Sequence, residues 1–238
     1  MDEFIISSSK GKNEKQESFL ALFKSKLLSR TMVLMVLLYM GCAIVFDGLV
    51  RLSDSFGLDF FITFTITSAT EVPSLVLLAF ILDRWGRRIL ACGPLTLSGI
   101  LIFISLFVAN GIPQAMLAIA ARFFMNMAFT VVVQWGTEIL PTGFRASGSS
   151  ALHMSGYVAT IMSPFVVYSE RIWTMLPLVI MGVTSIFSAG ISLILPETNG
   201  QLMPQTVADG EKIIREQSLC SKPEDTDDAP YKRKSQII

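Results

Sequence analysis

Histidine occurs once in these 238 residues, cysteine only three times, and Asp, Glu, Lys and Arg together make up just 16%. One imidazole, His153, leaves no histidine cluster for a transition metal. Standing alone and expected near the inner interface, it also offers no base-and-nucleophile constellation, so an enzyme is not expected. Cys42 and Cys92 fall in apolar runs and Cys220 in a polar stretch; none has metal-ligand spacing, and the odd count argues against a disulfide framework. The 19 basic and 19 acidic residues cancel, so no global field favours nucleic acid. No GxxxxGK[ST] loop occurs, which leaves ATP-driven chemistry without support, and no cofactor is expected. No cleavable leader is expected either: residues 1–16 are polar and mixed in charge, and the first apolar run starts near Thr31.

Apolar residues, in contrast, make up 52% of the chain and collect in runs of about 20, the length that carries a helix across roughly 30 Å of hydrocarbon. Six such runs are predicted to be transmembrane helices, at 31–50, 60–82, 89–109, 113–135, 147–167 and 173–195. A soluble helical domain would need polar faces to meet water, and almost none remain. A β-barrel would alternate apolar and polar residues, whereas these runs are continuously apolar. Pro73, Pro94, Pro164 and Pro177 are compatible with membrane helices, where neighbours satisfy the freed carbonyls. The expected fold is an all-α integral membrane protein. A cytoplasmic lead-in at 1–30 precedes a six-helix bundle at 31–195 and a polar, partly disordered tail at 196–238.

Lys and Arg set the orientation. Lys24, Lys26 and Arg30 precede the first span; Arg84, Arg87 and Arg88 follow the second; Arg145 follows the fourth; Lys212, Arg215, Lys232, Arg233 and Lys234 lie in the tail. The other side carries only Arg51 and Arg171, beside Asp54, Asp59 and Glu170. The positive-inside rule therefore puts both termini in the cytosol, in agreement with an even span count. Residues 18–30 form an amphipathic basic stretch suited to anionic headgroups, and 204–216 is expected as a short surface helix.

Two loops on that basic side carry motifs. Asp83-Arg84-Trp85-Gly86-Arg87-Arg88 joins the second and third spans, with Gly86 supplying a tight turn. Glu138-Ile139-Leu140-Pro141-Thr142-Gly143-Phe144-Arg145 joins the fourth and fifth. Glu138 is placed to pair with arginines of the first loop, forming a breakable latch at the cytoplasmic face, for which partly hydrated pairs are better suited than deeply buried ones.

With these motifs the chain resembles the C-terminal half of a major facilitator superfamily transporter, and most closely the organic cation and anion transporter (solute carrier 22) family. DRWGRR is similar to that family's loop between its eighth and ninth helices, and TEILPTGFR to its motif after the tenth. Phe56-Gly57-Leu58-Asp59 with Glu71-Val72-Pro73 resembles the eighth helix, Ser163-Pro164-Phe165 the eleventh, and Leu195-Pro196-Glu197-Thr198 the stretch after the twelfth. Ser18-Phe19-Leu20-Ala21-Leu22-Phe23 resembles the end of the central loop, so the likeness runs from about Glu17 to Glu211. It implies a transporter of two six-helix bundles that rock around a midplane site, of which this chain is expected to supply one. Cavity-facing candidates follow from it and from the cost of polar groups in lipid. Asp47, where the family often has an aromatic residue, either meets a cation or reaches the outer headgroups. Glu71 is read as a cavity or interhelical pairing group. Arg122 would attract an anion or neutralise Glu71 or Asp47. Gln134 and Trp135 lie near the inner end of the fourth span, Trp135 serving substrate or anchoring at the interface. Tyr157 stands where the family is commonly basic or acidic; its ring and hydroxyl remove a simple substrate-charge assignment. Gly156 with Ala151, Ser155 and Ala159 gives that span a small face for close packing.

The expected function is transport of small organic ions or zwitterions by alternating access in a plasma membrane, as a half-unit or fragment of a full transporter. The gate would comprise Asp83, Arg84, Gly86, Arg87, Arg88, Glu138 and Arg145. The competing expectations are a non-transporting protein that associates with a complete transporter, and an inactive truncated product. Expected partners are the solute, membrane lipid, and a second six-helix half or another membrane protein.

Overall fold

A computed structural model describes residues 26–52, 60–82, 85–108 and 111–198, together with Pro204, Gly210 and Ile214. Among these residues the secondary structure is helical throughout: α1 (Lys26–Arg51), α2 (Phe60–Ala69), α3 (Glu71–Ile81), α4 (Arg87–Ser105), α5 (Ile112–Ile139), α6 (Arg145–Tyr168) and α7 (Leu176–Ile194), with 3₁₀ turns at Thr142–Phe144 and Ser169–Arg171. Gate residues Asp83 and Arg84, and the stretch 18–25, lie outside the described residues.

Proline sets most boundaries. Pro73 has no N–H, and its ring opposes the carbonyl four residues back, at Ala69. The second expected span is accordingly interrupted at Thr70 and resumes at Glu71. Thr70 holds the joint: its amide reaches Ile66 O at 3.1 Å and its hydroxyl donates to Thr67 O at 2.6 Å. Pro113 and Pro177 sit in the first turns of α5 and α7, where a missing N–H costs nothing. Those helices stop at Leu140 and Leu195, each extended before a proline. The first helix is already formed at Lys26, at least five residues before the expected start, and its long basic side chains suit a helix that continues into the headgroup zone.

Among the described residues five helices are long and apolar enough to cross a membrane: Lys26–Arg51, Phe64–Ile81, Arg87–Ser105, Ile112–Ile139 and Leu176–Ile194. The remaining expected span, α6, has the length at 24 residues. Ser147, Ser149, Ser150, His153 and Ser155 dilute its first half.

At the centre, α1 packs against α5, α6 and α7; α4 packs against α5 and α7, and α3 against α5. Met35, Leu38, Cys42 and Val45 of α1 meet Leu95 and Ile102 of α4, Met125, Val131 and Trp135 of α5, and Met181 of α7 in one core. With hydrocarbon outside, such contacts act through close packing more than through expulsion of water. Ser185 of α7 adds an interhelical bond to Leu95 O at 2.7 Å, worth about 0.6 kcal/mol in such bundles. Of the small face expected on α6, Gly156 and Ala159 are buried. A side chain at Gly156 would run into the Tyr39 ring, 3.2 Å from Cδ1, so the glycine sets how closely α6 approaches α1. The outward surface is apolar, with Phe61, Val72, Phe80, Ile161, Phe165 and Phe187 exposed. So many large side chains are poorly suited to water and well suited to lipid or another protein.

The polar tail is partly docked. Ile214 is buried with Leu28, Met32, Leu140 and Phe144, and Thr142 N–H donates to Pro204 O at 3.2 Å. Of the expected surface helix, Gly210 and Ile214 are helical and the other described residue, Pro204, is not.

Candidate functional site

The break at Thr70 makes Glu71 the first residue of α3 and turns it towards α5. Its Oε1 accepts from Arg122 Nη2 at 2.6 Å. Arg122 also donates from Nη1 to Phe46 O of α1 at 2.7 Å, and its guanidinium lies 4.0 Å from the centre of the Phe46 ring. One arginine thus ties three helices. The pair is lopsided: the Arg122 side chain is 6% exposed and that of Glu71 36%. The acid reaches the surface of the bundle and the base hardly does. One turn further on both helices, Asn126 Nδ2 donates to Ser74 Oγ at 2.6 Å and Ser74 Oγ to Glu71 O at 2.7 Å. Phe46 stacks on Phe129 (5.4 Å, 11°), which packs against Tyr39 (5.1 Å). The result is a ladder of polar and aromatic groups on one side of α5.

The other cavity candidates separate. Asp47 pairs not with Arg122 but with Arg51 one turn along α1, at 2.6 Å. Tyr157 is open, 68% exposed on α6 beside Met154. Gln134 is exposed towards the far end of α5. Trp135 is fully buried, and its Nε1 donates to Pro196 O at 3.1 Å. The indole thus fastens α5 to the end of α7 and is not exposed in this bundle, where substrate contact or interface anchoring was expected. His153, expected to stand alone near the interface, instead hydrogen-bonds through Nδ1 to Tyr39 Oη at 3.0 Å, near the middle of α1.

At the basic end of the bundle, Arg87 and Glu138 meet as expected. Arg87 Nε lies 3.1 Å and 3.3 Å from the two Glu138 oxygens, Nη2 is 3.2 Å from Oε1, and Nη1 donates to Leu82 O at 3.0 Å. Both side chains are about one-seventh exposed, at 13% and 14%. Two groups absent from the expected set complete this cluster. Thr198 Oγ1 donates to Glu138 Oε2 at 2.7 Å. The Glu197 carboxylate accepts from the backbone amides of Arg87 (2.8 Å), Arg88 (3.0 Å) and Thr198 (3.1 Å). An anion at the first amides of α4 satisfies donors that have no intrahelical partner and complements the helix dipole. Gly86 is needed there for space: a Cβ would lie 2.8 Å from Glu197 Cδ. Arg88 donates to Leu193 O rather than to Glu138. Arg145 stays out of the cluster, its buried Nε and Nη2 having no hydrogen-bond partner among the described residues.

Some of the missed residues left a trace. Asn126 and Ser74 sit one turn beyond Arg122 and Glu71, a spacing that keeps a helical face. Glu197 and Thr198 lie in the LPET motif, but nothing local in it points to a loop 110 residues away.

An apolar helical bundle carrying an ion pair inside it and a charged cluster at one end is the build of a polytopic membrane protein. The chain matches the model of the Sugar (and other) transporter family over residues 1–206, and it belongs to that family, within the major facilitator superfamily. The family comprises membrane transporters and not enzymes. The chain is similar to the Organic cation transporter protein of Drosophila melanogaster, 33% identical over 171 residues, covering 71% of this chain and 31% of the relative. It is 29% identical over 199 residues to Solute carrier family 22 member 3 of Mus musculus, covering 82% and 36%. With Solute carrier family 22 member 1 of Sus scrofa the identity is 30% over 217 residues, covering 87% and 37%. The chain thus spans about a third of the length of the curated relatives it matches.

Proposed function

We propose that this chain forms one six-helix wall of a transporter that moves small organic ions or zwitterions across the plasma membrane by alternating access. In this reading α6 is the sixth span, both termini are cytoplasmic, and a second six-helix half supplies the opposite wall. The observation that carries the proposal is the Glu71–Arg122 pair inside an otherwise apolar bundle. Intramembrane charge is retained where it serves a pathway or a partner. Because Arg122 is buried and Glu71 is open, the solute meets the acid first, with Tyr157 and the Phe46–Phe129 stack as adjoining apolar and hydrogen-bonding surface. Arg122 holds the carboxylate in place; an anion reaches the guanidinium only by displacing Glu71. The Arg87–Glu138–Thr198 cluster, about one-seventh exposed at the end of the bundle, acts as the inner latch.

The test is reconstitution of the purified chain in vesicles, alone and with a separately supplied second half, measuring flux of a cationic, an anionic and a zwitterionic solute. Saturable flux that falls about tenfold or more with Glu71→Gln, most for the cation, is the expected result. Absence of flux in every combination overturns the proposal. Co-purification with a complete transporter whose flux the chain alters without carrying any itself establishes the associating role instead.

A further inference from the structure

A histidine in a membrane-crossing helix is costly unless it meets protein or water. His153 is the chain's single histidine, eight residues into α6, on the exposed face that also carries Met154 and Tyr157. Its Nδ1 lies 3.0 Å from Tyr39 Oη, with the two rings edge to face at 5.8 Å and 87°. Tyr39 is buried and held on its other sides by Phe129 of α5 and Gly156 of α6. The phenol therefore has little freedom to turn, and the imidazole reaches the open face while one hydrogen bond ties it to the central helix.

No ion pair to the ring is found among the described residues. On α1 the neighbouring titratable groups are Tyr39 and Cys42, both neutral in their ordinary states; α5 presents Phe129; α7 has no charged residue between Leu176 and Ile194. Tyr157 is the titratable neighbour on α6 itself, and Arg145 lies about two turns, ~12 Å, back along that helix. A neutral ring shares one hydrogen bond with Tyr39 whose direction the tautomer sets; the protonated ring donates at both nitrogens. Taking one proton from water at the open face forms one N–H bond and breaks none in the protein. It obliges Tyr39 Oη to accept, and the phenol hydrogen to turn elsewhere.

We infer that His153 and Tyr39 form a proton-binding site on the open face of the bundle, and that proton occupancy there is linked to movement of the solute. The second half of this statement rests on the transport reading; the first does not. With one histidine in the chain, ¹⁵N-histidine labelling of the full chain in nanodiscs gives a single-site spectrum. Scanned from about pH 5 to pH 8, the ring is expected to respond to pH with a single midpoint. Tyr39→Phe should alter that response, since it removes the phenol hydroxyl that hydrogen-bonds the ring. A ring that keeps one neutral tautomer across that range, or a midpoint indifferent to Tyr39→Phe, overturns the site. Should Tyr39→Phe fail to fold, Gly156→Ala, which pushes on the Tyr39 ring, must shift the same midpoint. In vesicles that carry flux, an imposed pH gradient should change the flux, and His153→Gln should bring the ratio with and without gradient to one. A ratio unchanged by His153→Gln overturns the linkage alone. Absence of flux in all vesicles defeats the transport reading and the linkage with it, while the proton-binding site still stands or falls by the titration.

Discussion

Replacing Glu71 with glutamine keeps the volume of the side chain and removes the counter-charge of a guanidinium that is 6% exposed. Arg122 would retain Phe46 O and the Phe46 ring as partners. Its Nε has no hydrogen-bond partner among the described residues, so nothing there replaces the lost carboxylate. Leaving a buried charge unpaired costs about 3–5 kcal/mol. Because the Glu71 end is 36% exposed, the expected loss lies at the lower limit, about 3 kcal/mol or roughly a hundredfold in the unfolding constant. Arg122→Met works the other way: it removes charge from the buried side and leaves a partly exposed carboxylate, at an expected cost of about 1 kcal/mol. With Arg122→Met already made, adding Glu71→Gln should cost little more. The assay is a double-mutant cycle from denaturant titrations of the chain in bicelles, followed by tryptophan fluorescence. Equal single-mutant costs that simply add would refute the argument that the acid compensates a buried base.

Four further outcomes are expected. Glu138→Gln removes the acceptor of both Arg87 and Thr198; in a complete assembly it should shift the inward–outward population more than substrate selectivity, as read by cysteine accessibility. Gly86→Ala places a methyl against the Glu197 carboxylate and should lower stability by about 1 kcal/mol through loss of the α4 N-terminal cap, measured by the same titration. Trp135→Phe loses the bond to Pro196 O; it should cost about 1 kcal/mol of stability and leave the ranking of solutes by flux unchanged. Gly156→Leu drives α6 away from Tyr39, and the overpacking should cost about 1–3 kcal/mol in denaturant titration.

Continuous apolar runs and the prolines that bound them make the helices legible in the sequence, because the hydrocarbon thickness fixes their length and lipid leaves backbone groups no partner except the helix. Glu71, Arg122 and the Arg87–Glu138 pair are legible for a related reason: charge in or beside such a run is expensive. Which face each residue takes is not. Around Trp135 every side of α5 is apolar, so periodicity does not distinguish a cavity wall from a core, and the indole goes to Pro196. His153 looks isolated in sequence because its partner, Tyr39, is 114 residues away. Arg145 shares a motif with Glu138 but not its contacts, while Glu197 and Thr198 join the cluster from the far end of α7. Pairings across such separations arise from the packing of α1 on α6 and of α4 on α5 and α7, which local spacing does not encode.

The most direct test replaces Tyr157, open on α6 and close to the His153–Tyr39 pair, by cysteine in a complete transporting assembly whose Cys42, Cys92 and Cys220 have been removed. A membrane-impermeant thiol reagent is then applied from either side. Labelling from both sides, slowed by transported solute and shifted towards the cytoplasmic side by Glu138→Gln, is the expected result. A cysteine that neither side reaches, while lipid-soluble reagents modify it freely, would put this face in hydrocarbon and contradict the transport pathway.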